Sequence, residues 1–331
     1  MKTLDSRLLE VLREAIVHLP AGDLAAQLGA PAAVIHARLA ELRAAGFEIE
    51  ERPGLGFRLL AAPDRLIADD LAARLAARHS DFVREIVVFE ETDSTNELVL
   101  QCGREGAEAG LVIFAERQNA GRGRFGRRWE SASHRGLWFS LLLRPELPLA
   151  RWPRLTTWAA VAVAAAIERT TGHRASIKWP NDIFLGEKKV AGILIESGAD
   201  AAGLHFAVVG IGINANHGPR DFPPELADRA ASLRMITGRS CDRAALAVEA
   251  LAQLAARLGH VAGAFSELVQ EAAERSLLLG RWVRLSSGAH LHEGLAESLD
   301  ENGQLRVRAG DGSSESFIAG EVTVVGSRVI P

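Results

Sequence analysis

The sequence predicts an α+β protein in three parts, and three observations lead there. Residues 4–46 carry apolar residues at helical spacing and then turn to alternation. Residues 85–215 interleave strand-like apolar runs with helical stretches. The last fifty or so positions break into short alternating runs punctuated by Asn302-Gly303 and Asp311-Gly312, the turn residues of hairpins.

Taken in order, Leu4, Leu8, Leu12 and Ile16 make a first helix. "PAGDLAAQLG" makes a second, between a proline start and Gly29. "AAVIHARLAELRAAG" makes a third, ended by Gly46. "FEIEERPGLGFRLL" alternates on both sides of Pro53-Gly54 and reads as a hairpin. Three helices and a hairpin are the winged helix-turn-helix pattern, assigned to residues 1–63. A linker helix is expected within 64–84, its pattern covering 64–79. A central domain follows over 85–275, with a strongly apolar helix near "WAAVAVAAAI" and helices over roughly 242–275. A small β-barrel is expected over 276–331.

With 331 residues, 48% hydrophobic and 24% charged, the chain has ample material for more than one core. A net charge of −4 provides no global field for nucleic acid or membrane, so any such binding is local. Cys102 and Cys241 form no zinc or disulfide pattern. The charged first residues resemble no signal peptide, and no apolar run reaches membrane-spanning length. The expected location is the cytoplasm.

The stretch "ERQNAGRGRFGRRW" (116–129) holds five arginines and three glycines. Gly121, Gly123 and Gly126 spell G-x-G-x-x-G, yet no helix follows them. The dinucleotide fingerprint needs that helix to hold a pyrophosphate. No G-x-x-x-x-G-K-[ST] occurs anywhere, which excludes a P-loop. What remains is a pliant backbone carrying forks of phosphate donors. No acidic residue lies within 117–129, so the charges are uncompensated inside the loop. Such a loop is expected to order when an anion arrives. A solvated surface loop or an RNA-binding arginine patch has the same composition.

Downstream, "KWPND" (178–182) sets a cation, an aromatic, a rigid turn and a carboxylate at a strand end. "KKVAGIL" (188–194) places Lys189 at the return strand, and "GIGIN" (210–214) offers glycines against which a flat ligand can lie. "DSTN" (93–96) puts hydroxyls and an amide at a strand-to-helix turn. Singly, each has a plain alternative: an N-cap at Asp93 or Ser94, surface lysines, or glycine bulges.

Together and in this order, "STN", "QNAGRGRFGRRW", "KWPND", "KKVAGIL" and "GIGIN" resemble the biotin protein ligases across residues 85–215. The flanking parts resemble the bifunctional ligase/biotin-operon repressor type. The resemblance implies a central biotin/lipoate ligase-like catalytic domain with a mixed sheet and an SH3-like C-terminal β-barrel. It implies that ATP and biotin form biotinyl-5′-AMP, and that a lysine of a carboxylase's biotin carboxyl carrier protein then takes the biotin.

Carried onto this chain, the resemblance assigns biotin contacts to Ser94, Thr95, Asn96, Gln118, Arg122, Gly123, Arg124, Lys189, Gly210 and Gly212. ATP contacts fall to Arg122, Arg124, Trp129, Lys178, Asn181, Lys189 and Asn214. Lys189, Asp182, Arg122 and Arg124 are the catalytic candidates. The three cations would offset charge as a carboxylate attacks the α-phosphate. Asp182 would orient the acceptor lysine and take its proton. Asn181 or Asp182 is the candidate ligand for Mg²⁺. An operator reader would use His36, Arg38 and Arg43, but residues 1–65 hold eight basic against nine acidic residues, far from an electrostatic footprint. Operator DNA and a ligand-dependent homodimer are the further partners expected. The alternatives are a lipoate–protein ligase and a ligand-sensing regulator without catalysis.

Overall fold

The computed structural model describes residues 3–76, 78, 82–288 and 290–325. The chain divides into two compact units, 1–81 with 242–248, and 82–241 with 249–331. Parts of the expected linker helix (77 and 79–81) and of the expected C-terminal barrel (289 and 326–331) lie outside the described residues.

In the first unit, helices α1 (Leu4–Glu14), α2 (Ala21–Leu28) and α3 (Ala32–Ala44) lead into the antiparallel strands β1 (Glu48–Arg52) and β2 (Gly56–Ala61). Helix α4 (Ala68–Ala76) follows. Thr3 caps α1, its Oγ1 accepting from the Ser6 amide at 3.0 Å. Gly29 ends α2 in the left-handed region, φ 65°, which a side chain would resist. The core joins Leu8, Leu12, Leu24, Ile35, Leu39 and Phe57. Asp70 is buried on α4, where Arg13 and Arg74 both donate to it, at 3.1 and 2.9 Å.

The second unit is built on a mixed seven-stranded sheet. Its strands are β3 (Glu85–Phe89), β4 (Leu111–Ala115), β5 (Leu137–Leu143), β6 (Ser176–Lys178), β7 (Asp182–Leu185), β8 (Lys188–Ala199) and β9 (His205–Ile213). They lie in the order β3-β4-β5-β9-β8-β7-β6, with β3 and β4 parallel and the other pairs antiparallel. Helix α5 (Thr95–Arg104) starts where the chain leaves β3, and α6 (Arg154–Thr171) packs its buried alanine-rich length against β6–β8. The short helices α7 (Pro224–Ala227) and α8 (Leu233–Thr237) follow β9. Then come α9 (Arg243–Ala262) and α10 (Phe265–Glu274).

Strands β10 (Trp282–Ser287), β11 (His290–Leu299), β12 (Leu305–Arg308), β13 (Ser314–Phe317) and β14 (Glu321–Val324) form an antiparallel sheet in the order β13-β12-β11-β10-β14. Val283, Leu285, Ala296, Leu305 and Phe317 fill its core, and Trp179 from the central sheet joins them. The Trp179 indole N–H donates to the Gly303 carbonyl at 3.0 Å, so one side chain pins the β6–β7 turn to this small sheet. Among the described residues no helix is long and apolar enough to cross a membrane.

Candidate active site

A cavity of about 490 Å³ opens over β8 and β9, beneath the 117–129 loop. Every residue singled out above for biotin, ATP or catalysis borders it, from Ser94 to Asn214. His36, Arg38 and Arg43 do not: they belong to the first unit.

One end of the cavity is a buried polar clamp. Ser94, Thr95 and Asn96 open α5 and are 2%, 3% and 4% exposed, so their polar atoms must be satisfied by protein or ligand. The Thr95 amide donates to Gln118 Oε1 at 2.9 Å. Ser140, fully buried on β5, sets its Oγ 2.5 Å from Asn96 Oδ1. That contact fixes which way the Asn96 amide faces, because the carbonyl oxygen takes the hydroxyl proton. Asn96 Nδ2 then donates to Glu196 Oε2 at 2.8 Å. Neither Ser140 nor Glu196 stood out in the sequence, since each sits inside an apolar strand pattern.

The glycines under the clamp are steric necessities. A Cβ on Gly210 would lie 2.0 Å from Asn96 Oδ1. Gly192 and Gly212 pair across β8 and β9, and a Cβ on either would come within 2.9 Å of the Trp129 ring. The paired glycines thus make a flat seat that the Trp129 indole occupies. Its Nε1 is buried without a hydrogen-bond partner, a polar atom left over for a ligand.

The other end is cationic. Lys189 Nζ is 2.6 Å from Asp182 Oδ1 and 5.4 Å from the centre of the Trp129 ring. Burial pushes the Lys178 ammonium below the usual lysine range; Asp182 acts against that shift and Lys189 with it. Burial also lowers the Arg124 guanidinium, again opposed by Asp182. Arg124 Nη1 donates to Asn181 Oδ1 at 2.9 Å, and Asn181 Nδ2 donates to the Ile193 carbonyl at 2.8 Å. Asn214 is buried, and its Nδ2 reaches the Ala231 carbonyl at 3.2 Å, which holds the segment after α7 against β9.

The arginine loop differs from the self-repelling segment its composition suggests. Three of its five arginines are met by carboxylates from outside. Arg122 pairs with Glu196 at 2.7 Å, Arg127 with Glu321 on β14, and Arg128 with Glu130 at 3.6 Å. The Arg127 pairing holds the Glu321 carboxyl below the usual range. Within the loop the Gly123 amide donates to the Arg127 carbonyl and the Trp129 amide to the Gly121 carbonyl, both at 2.8 Å. Phe125 at the tip is 66% exposed and sits at φ 58°, a left-handed conformation uncommon outside glycine.

Phe184, Phe222, Leu226 and Arg229 also border the cavity. The segment 222–230 carries none of the motifs singled out in the sequence, and only the fold brings it there. Among the described residues no three His, Cys, Asp or Glu side chains group to hold a metal.

The family model for the biotin/lipoate A/B protein ligase family matches residues 88–214. The bifunctional ligase/repressor BirA of Bacillus subtilis is 36% identical over 243 residues, covering 73% of this chain and 74% of its own. The biotin–[acetyl-CoA-carboxylase] ligase of Mycobacterium tuberculosis is 32% identical over 245 residues, covering 72% of this chain and 88% of its own. Among solved structures, the biotin protein ligase from Aquifex aeolicus in complex with biotin and ATP superposes with a TM-score of 0.63 at 33% identity. It covers 73% of this chain and 99% of that one.

Proposed function

The chain belongs to the biotin protein ligases, within the biotin/lipoate A/B protein ligase family, and from that premise we propose how its cavity divides the work. The protein activates biotin with ATP to biotinyl-5′-AMP and transfers the biotin to a lysine of a carboxylase's carrier protein. One observation carries the division. The residues of five separate motifs meet in a single cavity with a neutral hydrogen-bonding end and a cationic end.

The neutral end, Thr95, Asn96 and Gln118 with Ser94 beside them, suits the polar edge of the biotin rings. Gly210 and Gly212 leave room on the sheet below for the Asn96 side chain and the Trp129 ring. At the cationic end Lys189 and Arg124 face the reacting carboxylate and α-phosphate, with Lys178 behind them. Their charge offsets the repulsion between two anions as the bond to phosphorus forms and pyrophosphate leaves. Arg122, Gly123 and Arg124 cover the intermediate and keep the anhydride dry. Trp129 and Asn214 line the nucleotide's path. In the second step Asp182 orients the incoming lysine and accepts its proton, and AMP leaves.

Magnesium fits this site as a companion of the phosphates rather than as a resident ion. When bound it would neutralise phosphate charge. Asn181 and Asp182 offer the oxygens for it, and each oxygen already holds a cation, Arg124 on one and Lys189 on the other.

The test is exchange of pyrophosphate into ATP. Exchange that depends on biotin, with none on replacing biotin by lipoate, supports this reading. Exchange with lipoate alone, or with neither, rejects it.

For the rest of the chain we propose a winged helix-turn-helix over 1–63, a linker helix over 64–84, the catalytic domain over 85–275 and an SH3-like barrel from 276. Through Trp179 and Glu321 the barrel braces the "KWPND" turn and the arginine loop. The cytoplasm is the compartment that supplies the substrates. A second role, as a biotin-responsive repressor forming a ligand-dependent homodimer on operator DNA, is favoured by the name of the Bacillus subtilis relative. The candidate reading residues are engaged elsewhere: Arg38 donates to Glu41 at 2.6 Å, Arg43 to the Ile49 carbonyl at 3.0 Å, and His36 packs edge-on against Phe57. Titrating DNA with the full chain and a non-hydrolysable adenylate, at two salt concentrations, tests that role. Sequence-specific binding supports it, and salt-insensitive absence of binding rejects it.

A further inference from the structure

The first arginine of the loop ends on a carboxylate that belongs to none of the motifs. Arg122 Nη2 donates to Glu196 Oε1 at 2.7 Å, while Glu196 Oε2 accepts from Asn96 Nδ2 at 2.8 Å. One carboxylate therefore joins the loop over the cavity to the buried clamp at its neutral end. Both of its oxygens are committed.

Position explains the reach. Gly192, Leu194 and Glu196 alternate onto one face of β8, the face on which Trp129 lies over Gly192. Glu196 borders a second hollow, of about 480 Å³, formed with the arginine loop, and does not border the main cavity. Arg122 borders both. Glu196 thus meets the loop from the side of that second hollow.

We propose that Glu196 is a positioning residue that couples closure of the arginine loop to the orientation of Asn96. The inference rests on the ligase reading above. The Glu196 side chain is 20% exposed and that of Arg122 45%, so the pair is worth little as a stability element. Its value is geometric. The loop contains Gly121, Gly123 and Gly126; the Arg122 backbone bridges to Arg128, and its guanidinium reaches across to Glu196 on β8. Ser140 fixes one side of the Asn96 amide, and Glu196 fixes the other. A neutral amide in place of Glu196 turns one of the two acceptor oxygens into an NH2 donor, which in this arrangement would face either the Arg122 or the Asn96 donor.

The experiment uses the full chain and three readouts: biotin-dependent pyrophosphate exchange, release of preformed biotinyl-5′-AMP, and the melting temperature. Glu196→Gln should speed release about tenfold, the scale of one charge-assisted hydrogen bond, with the melting temperature unchanged. Glu196→Ala should also raise the KM for biotin, because Asn96 Nδ2 keeps only the longer bond to the Leu194 carbonyl, at 3.4 Å. In an Arg122→Ala background, Glu196→Gln should change release little, since the coupling is already broken. Release from Glu196→Gln as slow as from the unaltered chain overturns the proposal. So does a full, additive effect in the Arg122→Ala background. If the unaltered chain shows no biotin-dependent exchange, the ligase reading falls first and takes this link with it.

Discussion

Lys189 Nζ and Asp182 Oδ1 lie 2.6 Å apart, so the cation proposed for the first half-reaction and the carboxylate proposed for the second hold each other. On the proposed reading, adenylation would draw Lys189 toward phosphate and leave Asp182 free for the acceptor amine, so that one ion pair would order the two steps. Asp182→Asn should keep biotin-dependent pyrophosphate exchange within a few-fold while lowering transfer to the carrier lysine by about 10²–10⁴, the usual worth of a positioned acid–base group. Equal loss of both half-reactions, measured separately, would sink this assignment.

Arg124 ties the covering loop to the "KWPND" turn through Asn181. Arg124→Gly removes that tie together with the cation proposed to face the α-phosphate. Adenylate should still form but escape into water, with release faster by about one to two orders of magnitude, as expected for a lost hydrogen bond to a charged group. Trapping of free biotinyl-5′-AMP in the medium measures it. Asn181→Ala should reproduce part of the leak, since Asn181 is the other half of the contact.

Gly210 has space for a hydrogen and nothing larger. Its Cβ would stand 2.0 Å from Asn96 Oδ1, inside any van der Waals contact. Asn96 cannot yield freely, because Ser140, Glu196 and the start of α5 hold it. Gly210→Ala should cost about 1–3 kcal/mol of overpacking. It should raise the KM for biotin well above that for ATP. A titration calorimeter gives both affinities, and equal weakening of the two ligands would argue that the sheet as a whole has moved.

The motifs were legible because their chemistry is odd for its place: arginines without acids, a tryptophan between a lysine and a proline, and glycines in an apolar strand. The partners were not. Glu196, Ser140 and Glu321 are ordinary residues for their strands; only the pairing of β5 and β8 with β9 brings Ser140 and Glu196 to Asn96, and only that of β10 with β14 brings Glu321 to the arginine loop. The loop's apparent excess of charge misled for the same reason, since its counter-charges lie at positions 196 and 321. The strands were legible from their apolar runs, and the mixed sheet they form was implied only by the family resemblance. Its strand order was not legible, because β5 pairs with β9 across some seventy residues that carry no local sign of it. The role of Trp179 was likewise hidden: an aromatic beside a ligand site reads as a ligand contact, and here it is also core for the small β-sheet.

Lys178 gives the site a pH signature. Burial lowers its ammonium from the ordinary lysine range, with the Lys189 charge acting the same way and the Asp182 charge opposing both. The sign follows directly. Between the lowered value and the ordinary one, the unfolded chain holds the proton and the folded chain has released it, so stability rises with pH across that window. Phosphate binding needs the charged form, so kcat/KM for ATP should fall as pH climbs through the lowered value, earlier than a solvent-exposed lysine would allow. Lys178→Arg keeps its proton throughout and should remove that alkaline limb, even if its planar fork lowers the plateau. Pyrophosphate exchange followed across the alkaline range decides the matter. An alkaline limb that stays in place in Lys178→Arg would assign the titration to another group, with Lys189 the next to substitute.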